Sequence, residues 1–422
     1  MPIIQSITAR EIINSKAVPT VETTVALSDG TIVTGSCPTG TSIGSYEATD
    51  LRDGDENRYG GKGVLKAVAN IKTTIAQAIV GKEIQNFSDI DKILLELDAT
   101  QNKSVLGANA ILSVSITVAR ACARSAKMPL YKYLHHYLKQ QTNLRIPTPI
   151  FNIINGGEHA GNNVDFQEFM VIPASSMTFS SGLLMCTNVY HALKNTLKKN
   201  SLTTLVGDEG GFGPTFPKNT DALAMLKKAI DTTSAKFGYD IFFGLDVASN
   251  SFYHEHAYHI KDNPNPMSTN EIISYFREIN KEYALVYLED PLAEDDWDGW
   301  SALCKEQGQD TLIVGDDLTA TNPYRLQIAI NKKAITGIII KPNQIGTVLE
   351  SLAVVEVARA AGLKIIVSHR SGETNDDFIA DFAVATAADY VKFGAPARGE
   401  RIAKYNRLLA IEEEILAATK KT

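Results

Sequence analysis

No run in the 422-residue sequence approaches the ~20 consecutive apolar residues of a membrane-spanning helix. The N-terminus, M-P-I-I-Q-S-I-T-A-R, lacks the basic segment and apolar stretch of a secretory leader, so a cytoplasmic protein is expected. Cysteine is scarce. Cys37, Cys122, Cys186 and Cys304 lie far apart without paired spacing, which reads as free thiols in a reducing compartment. Nor is positive charge in excess: 41 Lys and Arg against 48 Asp and Glu leave a formal net charge of −7. That balance argues against a nucleic-acid or anionic-membrane partner, and an anionic substrate would need local cations or a metal.

What is present is a globular composition, 44% apolar and 21% charged, in a chain too long for one small core. Two domains are expected, an N-terminal α+β domain at residues 1–136 and a second at 137–422. Residues 3–34 alternate like strands, with Asp29-Gly30 as a hairpin turn. A Gly- and Ser-rich loop at 37–45 looks too polar to be core, and helical periodicity covers 63–80, 89–97 and 108–126. The Pro-rich stretch 146–150 leads into the second domain.

There the pattern becomes regular. The runs L-V-G-D-E-G, I-F-F-G-L-D-V-A-S, L-V-Y-L-E-D-P, T-L-I-V-G-D-D-L, G-I-I-I-K-P-N-Q and K-I-I-V-S-H-R-S-G each lead into a helical pattern. Y-V-K-F-G precedes a closing helix at 398–417, and F-M-V-I-P near residue 170 supplies an eighth strand. Such alternation predicts an α/β fold with a C-terminal (β/α)8-type barrel. Ser268-Thr269-Asn270-Glu271 is a capping box, and Gly362 ends a helix. His254, His256 and His259 read as a solvated hairpin rather than a metal site.

Chemistry collects where strands stop. Glu209, Asp246, Glu289, Asp316, Lys341, His369 with Arg370, and Lys392 stand at successive strand ends, which in a barrel converge on the ligand-binding face. One acidic strand end commonly caps the next helix, but a whole series of ionisable ends at one mouth points to a catalytic site. Asp246, Glu289 and Asp316 form an all-oxygen set suited to Mg²⁺ or Mn²⁺. Lys341, Arg370 and Lys392 suit a substrate with carboxylate or phosphate groups. An ordinary lysine, with a pKa of about 10.4, is neutral about once in 2,500 at pH 7, and neighbouring cations are expected to raise that fraction for Lys341 as a base. The competing reading is that Lys341 only pairs with Asp316.

The motifs V-G-D-E-G-G, L-E-D-P-L-A-E-D-D-W, G-D-D-L-T-A-T-N, K-P-N-Q-I-G-T and S-H-R-S-G-E-T resemble the enolase family, as do the earlier N-I-I-N-G-G-E-H-A and F-Q-E-F-M. The resemblance runs from Ile7 to Ile415. It implies Mg²⁺-dependent, reversible dehydration of 2-phospho-D-glycerate to phosphoenolpyruvate in glycolysis and gluconeogenesis. A lysine base with one or two Mg²⁺ is the known pattern of that superfamily. By the same resemblance, Asp246, Glu289 and Asp316 would hold one Mg²⁺ and Ser42 a second. Lys341 would remove the C2 proton, and Glu209, assisted by Glu168, would protonate the leaving hydroxyl. Lys392 and Gln167 would meet the carboxylate end, Arg370 and Ser371 the phosphate, and His159 and His369 would line the closed site. A homodimer or higher homo-oligomer is implied. So are secondary roles as a surface plasminogen receptor or RNA-degradation partner, with a cell-surface or secreted fraction.

This sequence departs from the family pattern in places. The loop usually P-S-G-A-S-T-G reads P-T-G-T-S-I-G, with Thr41 and Ile43 replacing Ala and Thr. Lys16-Ala17-Val18 replace Arg-Gly-Asn, Ser251 stands where glutamate is common, and Ala410 replaces an arginine that in family dimers pairs with the glutamate matching Glu22. Two other readings stay open. One is a binding protein acting through its Lys420-Lys421 tail; the other is a barrel of the same superfamily acting on a different acid.

Overall fold

The computed structural model describes residues 2–40, 44–139 and 143–419. Thr41, Ser42 and Ile43, and the terminal Lys420, Lys421 and Thr422, lie outside the described residues. The chain opens with a three-stranded antiparallel sheet of β1 (Ile4–Ile13), β2 (Pro19–Leu27) and β3 (Ile32–Ser36). At the β2–β3 turn Asp29 Oδ1 accepts from the Thr31 N–H at 2.9 Å, and Gly30 takes a φ of 86°. Helix Ala108–Ser125 packs on this sheet, its Ser113 hydroxyl 2.8 Å from that of Thr23.

The expected helix at 63–80 runs from Leu65 to Ile79 but widens to a π turn over Ile71–Ile75. There β-branched residues crowd, and the Thr73 hydroxyl bonds back to the Ala69 carbonyl at 2.8 Å.

β4 (Thr148–Asn155), β5 (Glu168–Pro173) and β6 (Ile241–Asp246) begin a closed barrel. A small hairpin, β7 (Tyr253–His254) and β8 (Ala257–Tyr258), interrupts it, and the barrel resumes with β9 (Leu285–Glu289), β10 (Leu312–Gly315), β11 (Gly337–Ile340), β12 (Lys364–Ser368) and β13 (Tyr390–Lys392). The ring runs β4-β5-β6-β9-β10-β11-β12-β13 and back to β4. Its interior is filled by side chains such as Ile150, Met170, Tyr287, Val314, Ile339 and Ile366, and helices cover the outside. The mixed α/β fold with a C-terminal barrel is as expected. No described helix is long and apolar enough to cross a membrane.

Several expectations need correction. L-V-G-D-E-G is not a barrel strand: Leu205 and Val206 are exposed, and Val206 makes only an isolated bridge to Phe212. The missing strand is β4, which begins within the Pro-rich stretch that leads into the second domain. β5 is antiparallel to both β4 and β6. A short excursion, not a helical crossover, joins β4 to β5, and so short a link returns the chain antiparallel. The loop at 37–45 was expected to lie outside the core, yet Cys37 and Thr39 are buried, because Thr39 and Gly372 exchange backbone hydrogen bonds at 2.8 and 2.9 Å.

Other local signals hold. Ser268 and Glu271 form the capping box, Gly362 turns out of its helix at a φ of 79°, and all four cysteines are free. His254 lies on the expected hairpin and stacks on His259, and both rings are exposed.

The β1–β2 turn carries a conformational cost. Asn14 Oδ1 accepts from the N–H groups of Lys16 and Val18, forcing Ala17 to a φ of 56°. Left-handed backbone costs a residue with a Cβ about 1–2 kcal/mol, partly offset by the extra freedom a glycine has when unfolded. Ala17→Gly is therefore expected to raise stability by about 1 kcal/mol, read as a higher urea midpoint; a lower midpoint would refute the strain.

Candidate active site

The reversal of β5 decides where Glu168 goes. As the first residue of a strand running against its neighbours, it reaches the mouth where the others end, in register with Asn155 on β4 and Asp246 on β6. Asp246 is in turn opposite Glu289 on β9. Asp316 and Lys341 follow β10 and β11 by one residue, His369, Arg370 and Ser371 follow β12, and Lys392 ends β13. His159 comes from the 3-10 turn Gly157–Ala160. Glu209 comes from a loop, anchored by its carbonyl to the Ala395 N–H at 3.0 Å and by Asn152 Nδ2 to its carboxylate at 3.1 Å.

A cavity of about 650 Å³ opens here. It is lined by Lys341, Glu209, Glu168, His159, Gln167, His369, Arg370, Ser371, Lys392, Asp246 and Asp316. Glu289 is fully buried behind Lys392, and Ser42 lies outside the described residues.

Lys392 is central to the charge arrangement. Its Nζ donates to Asp246 Oδ2 and Glu289 Oε1, each at 2.8 Å, and stands 3.4 Å from Glu168. Burial disfavours the ammonium, but Asp246, Glu168 and Glu289 prevail and hold it well above the ordinary lysine value. Lys341 is paired with Asp316. Burial pushes its amine down and Arg370 and Lys392 add to that, yet Asp316 outweighs them, so Lys341 lies above the ordinary value. This is the reverse of the lowering expected from its cationic neighbours. Arg370 is gripped by Glu47 at 2.7 and 3.1 Å, and both are buried.

On the other wall the carboxylates of Glu168 and Glu209 are pushed apart. Burial and the Glu209 charge raise Glu168 well above the usual range. Burial also pushes Glu209 up, but His369, His159 and Arg401 prevail and hold it well below that range. Burial takes His369 down to about 3, so its ring is neutral near pH 7. Arg401 donates to its Nδ1 at 2.7 Å, which leaves the ring proton on Nε2, 3.2 Å from Glu209. Of the two carboxyls, Glu168 is thus the one that favours its proton.

The donor set fits a hard dication. Burial and the Asp246 charge raise Glu289 to about 8, burial and Asp316 raise Asp317 to about 7, and burial with Asp317 raises Asp290 well above its usual value. Burial and neighbouring carboxylate charge outweigh the nearby lysines here, and the oxygens of such a set suit Mg²⁺. Oxygens of Asp290, Asp316 and Asp317 lie within 4.8 Å of one another, as do ligand atoms of His159, Glu168 and Glu209.

Sequence reasoning missed Asp290, Asp317, Glu47 and Arg401. The first two had a signal, adjacency to strand-end acids in E-D-P and G-D-D, whereas Glu47 and Arg401 reach the mouth from remote segments and had none. Asp290 accepts from the Asp316 and Asp317 N–H groups at 3.0 and 2.8 Å and so shapes the β10 loop. Ser251 lies at the exposed rim, its hydroxyl donating to the Ala248 carbonyl at 2.9 Å.

A closed barrel whose mouth gathers acids, lysines and an arginine defines a TIM-barrel enzyme. Comparison with family models then narrows the class: residues 4–134 match the model described as Enolase, N-terminal domain, and residues 143–421 the model described as Enolase, C-terminal TIM barrel domain. The chain belongs to the enolase family and is a lyase of the enolase superfamily.

The raised carboxyls have a thermodynamic consequence. Glu289, at about 8, and Asp317, at about 7, bind protons in the folded state that an unfolded chain, with carboxyls near their usual values, has already lost. Asp91, buried on the helix Phe87–Leu97, does the same at about 7. Stability therefore falls as pH rises through this window. His369 titrates in the opposite sense, between about 3 in the folded state and its usual value near 6.5. The metal-free protein is expected to melt at a lower temperature at about pH 8.5 than at about pH 6.5. Added Mg²⁺ should recover the share belonging to the mouth but not that of Asp91. Calorimetry with and without Mg²⁺ reads both effects, and a melting temperature that rises with pH would refute them.

Proposed function

We propose that the chain catalyses the Mg²⁺-dependent, reversible dehydration of 2-phospho-D-glycerate to phosphoenolpyruvate. The observation that carries this reading is the placement of the base and the acid. Lys341 follows β11 and Glu168 begins β5, and these strands are four apart around an eight-strand ring, on opposite walls of the mouth. Elimination of water across a C–C bond needs a base on one face and an acid on the other.

In this reading Asp316, once turned toward the dication, no longer favours the Lys341 ammonium, and the neutral amine takes the C2 proton; the C2–H electron pair forms the new double bond to C3, and the C3–O bond breaks. The hydroxyl leaves as water with a proton from the Glu168 and Glu209 pair. His369, neutral and fixed by Arg401, keeps Glu209 hydrogen-bonded while the proton moves. Gln167 and Lys392 orient the substrate carboxylate, and Arg370 and Ser371 meet the phosphate, which competes with Glu47 for the guanidinium. Asp246, Glu289 and Asp316 would hold the dication, with Ser42 proposed for a second. When bound, Mg²⁺ supplies positive charge against the negative charge developing on the substrate carboxylate.

The proposal includes a homo-oligomer, to be read by analytical ultracentrifugation. In this chain Glu22 bonds Arg10 of the adjacent strand at 2.6 Å, and Ala410 is exposed with no charge to offer. Loss of one exposed pair changes stability by only about 0–1 kcal/mol, so an assembly does not depend on it.

Phosphoenolpyruvate formation is followed by its ultraviolet absorbance. Turnover should vanish with a chelator and return with Mg²⁺, and Lys341→Ala should lower kcat by about 10³-fold with an unchanged far-ultraviolet circular dichroism spectrum. Wild-type turnover in that variant would sink the assignment.

A further inference from the structure

Tyr287 stands two residues before Glu289 on β9, so both side chains face the barrel interior. Its hydroxyl donates to Glu289 Oε2 at 2.6 Å, while Lys392 Nζ donates to Glu289 Oε1 at 2.8 Å. Each carboxylate oxygen of this fully buried residue is therefore held by a donor. The phenol has no freedom to aim elsewhere. Its ring is part of the interior layer with Ile150, Met170, Val314 and Ile339. Gly244 on β6 leaves space for it: a Cβ there would meet Tyr287 Cβ at 3.1 Å and Cδ1 at 3.3 Å.

We propose that Tyr287 is a positioning residue for divalent-cation binding, its hydroxyl fixing the orientation in which the Glu289 carboxylate is presented to the ion. Phenylalanine would fill the same space in the apolar layer, so packing alone does not call for the hydroxyl. The one polar atom of the ring is spent on a carboxylate that, on the proposed function, joins Asp246 and Asp316 as a ligand; the inference rests on that reading. Donors that orient a ligating carboxylate commonly change metal affinity by about 10–100-fold when removed.

The test is calorimetric titration of the full chain with Mg²⁺ alone, without substrate, on wild type, Tyr287→Phe and Asp246→Asn. Tyr287→Phe is expected to weaken Mg²⁺ binding by about 10-fold or more. The Mg²⁺ concentration for half-maximal rate should rise by the same factor, while kcat at saturating Mg²⁺ stays within about threefold of wild type. A wild-type Kd in Tyr287→Phe beside a weakened Asp246→Asn overturns the role of Tyr287 alone. A wild-type Kd in Asp246→Asn overturns the ligand reading and this inference with it. Should Tyr287→Phe fail to fold, Gly244→Ala displaces the ring while keeping the hydroxyl, and a wild-type Kd there overturns the proposal equally.

Discussion

Charge removed from water must be matched, and at the barrel mouth the ammonium of Lys392 does most of the matching. It bonds Asp246 and Glu289 and stands close to Glu168, carboxylates that come from three neighbouring strands. Removing one partner of such a buried pair typically costs about 3–5 kcal/mol, so the strands carrying them are tied to one another by charge as well as by backbone ladders. Because Lys392 lies on β13 and its partners on β5, β6 and β9, neutralisation requires a closed ring. Assembly of the barrel and assembly of the site are one event.

The N-terminal layer obeys the same requirement. Glu47 supplies the counter-charge of buried Arg370, and Arg120 forks onto Asp376 at 2.6 and 2.8 Å. Asp91 accepts from the Leu349 N–H at 2.9 Å, and Ser115 from that of Val348 at 3.0 Å, so two residues of this layer satisfy the free end of a barrel helix. The segment that brings Glu47 also carries the Thr39–Gly372 backbone pair, which draws the polar loop into the interior. Gly44 and Ser45, from a loop that reads as solvent-facing by composition, thus line the cavity with Glu47.

Strands buried on both faces were legible because they appear as short unbroken apolar runs, and a charged residue ending each run stands out. That contrast exposed Asp246, Glu289, Asp316, Lys341 and Lys392. It picked out Glu209 but took L-V-G-D-E-G for one more strand, although its apolar residues face solvent. It failed again for β4, where Thr148 and Pro149 masked a buried strand. Glu47 and Arg401 could not be read as site residues, since nothing around them differs from an ordinary loop or surface helix. Motif resemblance supplied Glu168 and His159, which strand-end logic alone would have passed over.

Sequence by itself determined the local elements and the class: the alternation of apolar runs with helical periods, the capping box at Ser268, the free cysteines, the acids and lysines at strand ends, and the family motifs. These are properties of neighbours in the chain, set by side-chain spacing and backbone preference. Tertiary structure alone decided that β5 runs backwards and lifts Glu168 to the mouth, that Glu47 faces Arg370, and that Asp316 holds Lys341 above its ordinary value while Glu168 and Glu209 on the opposite wall are pushed apart. Those outcomes depend on distances between charges in a medium of low polarity. Chain separation carries no information about such distances until the barrel has closed.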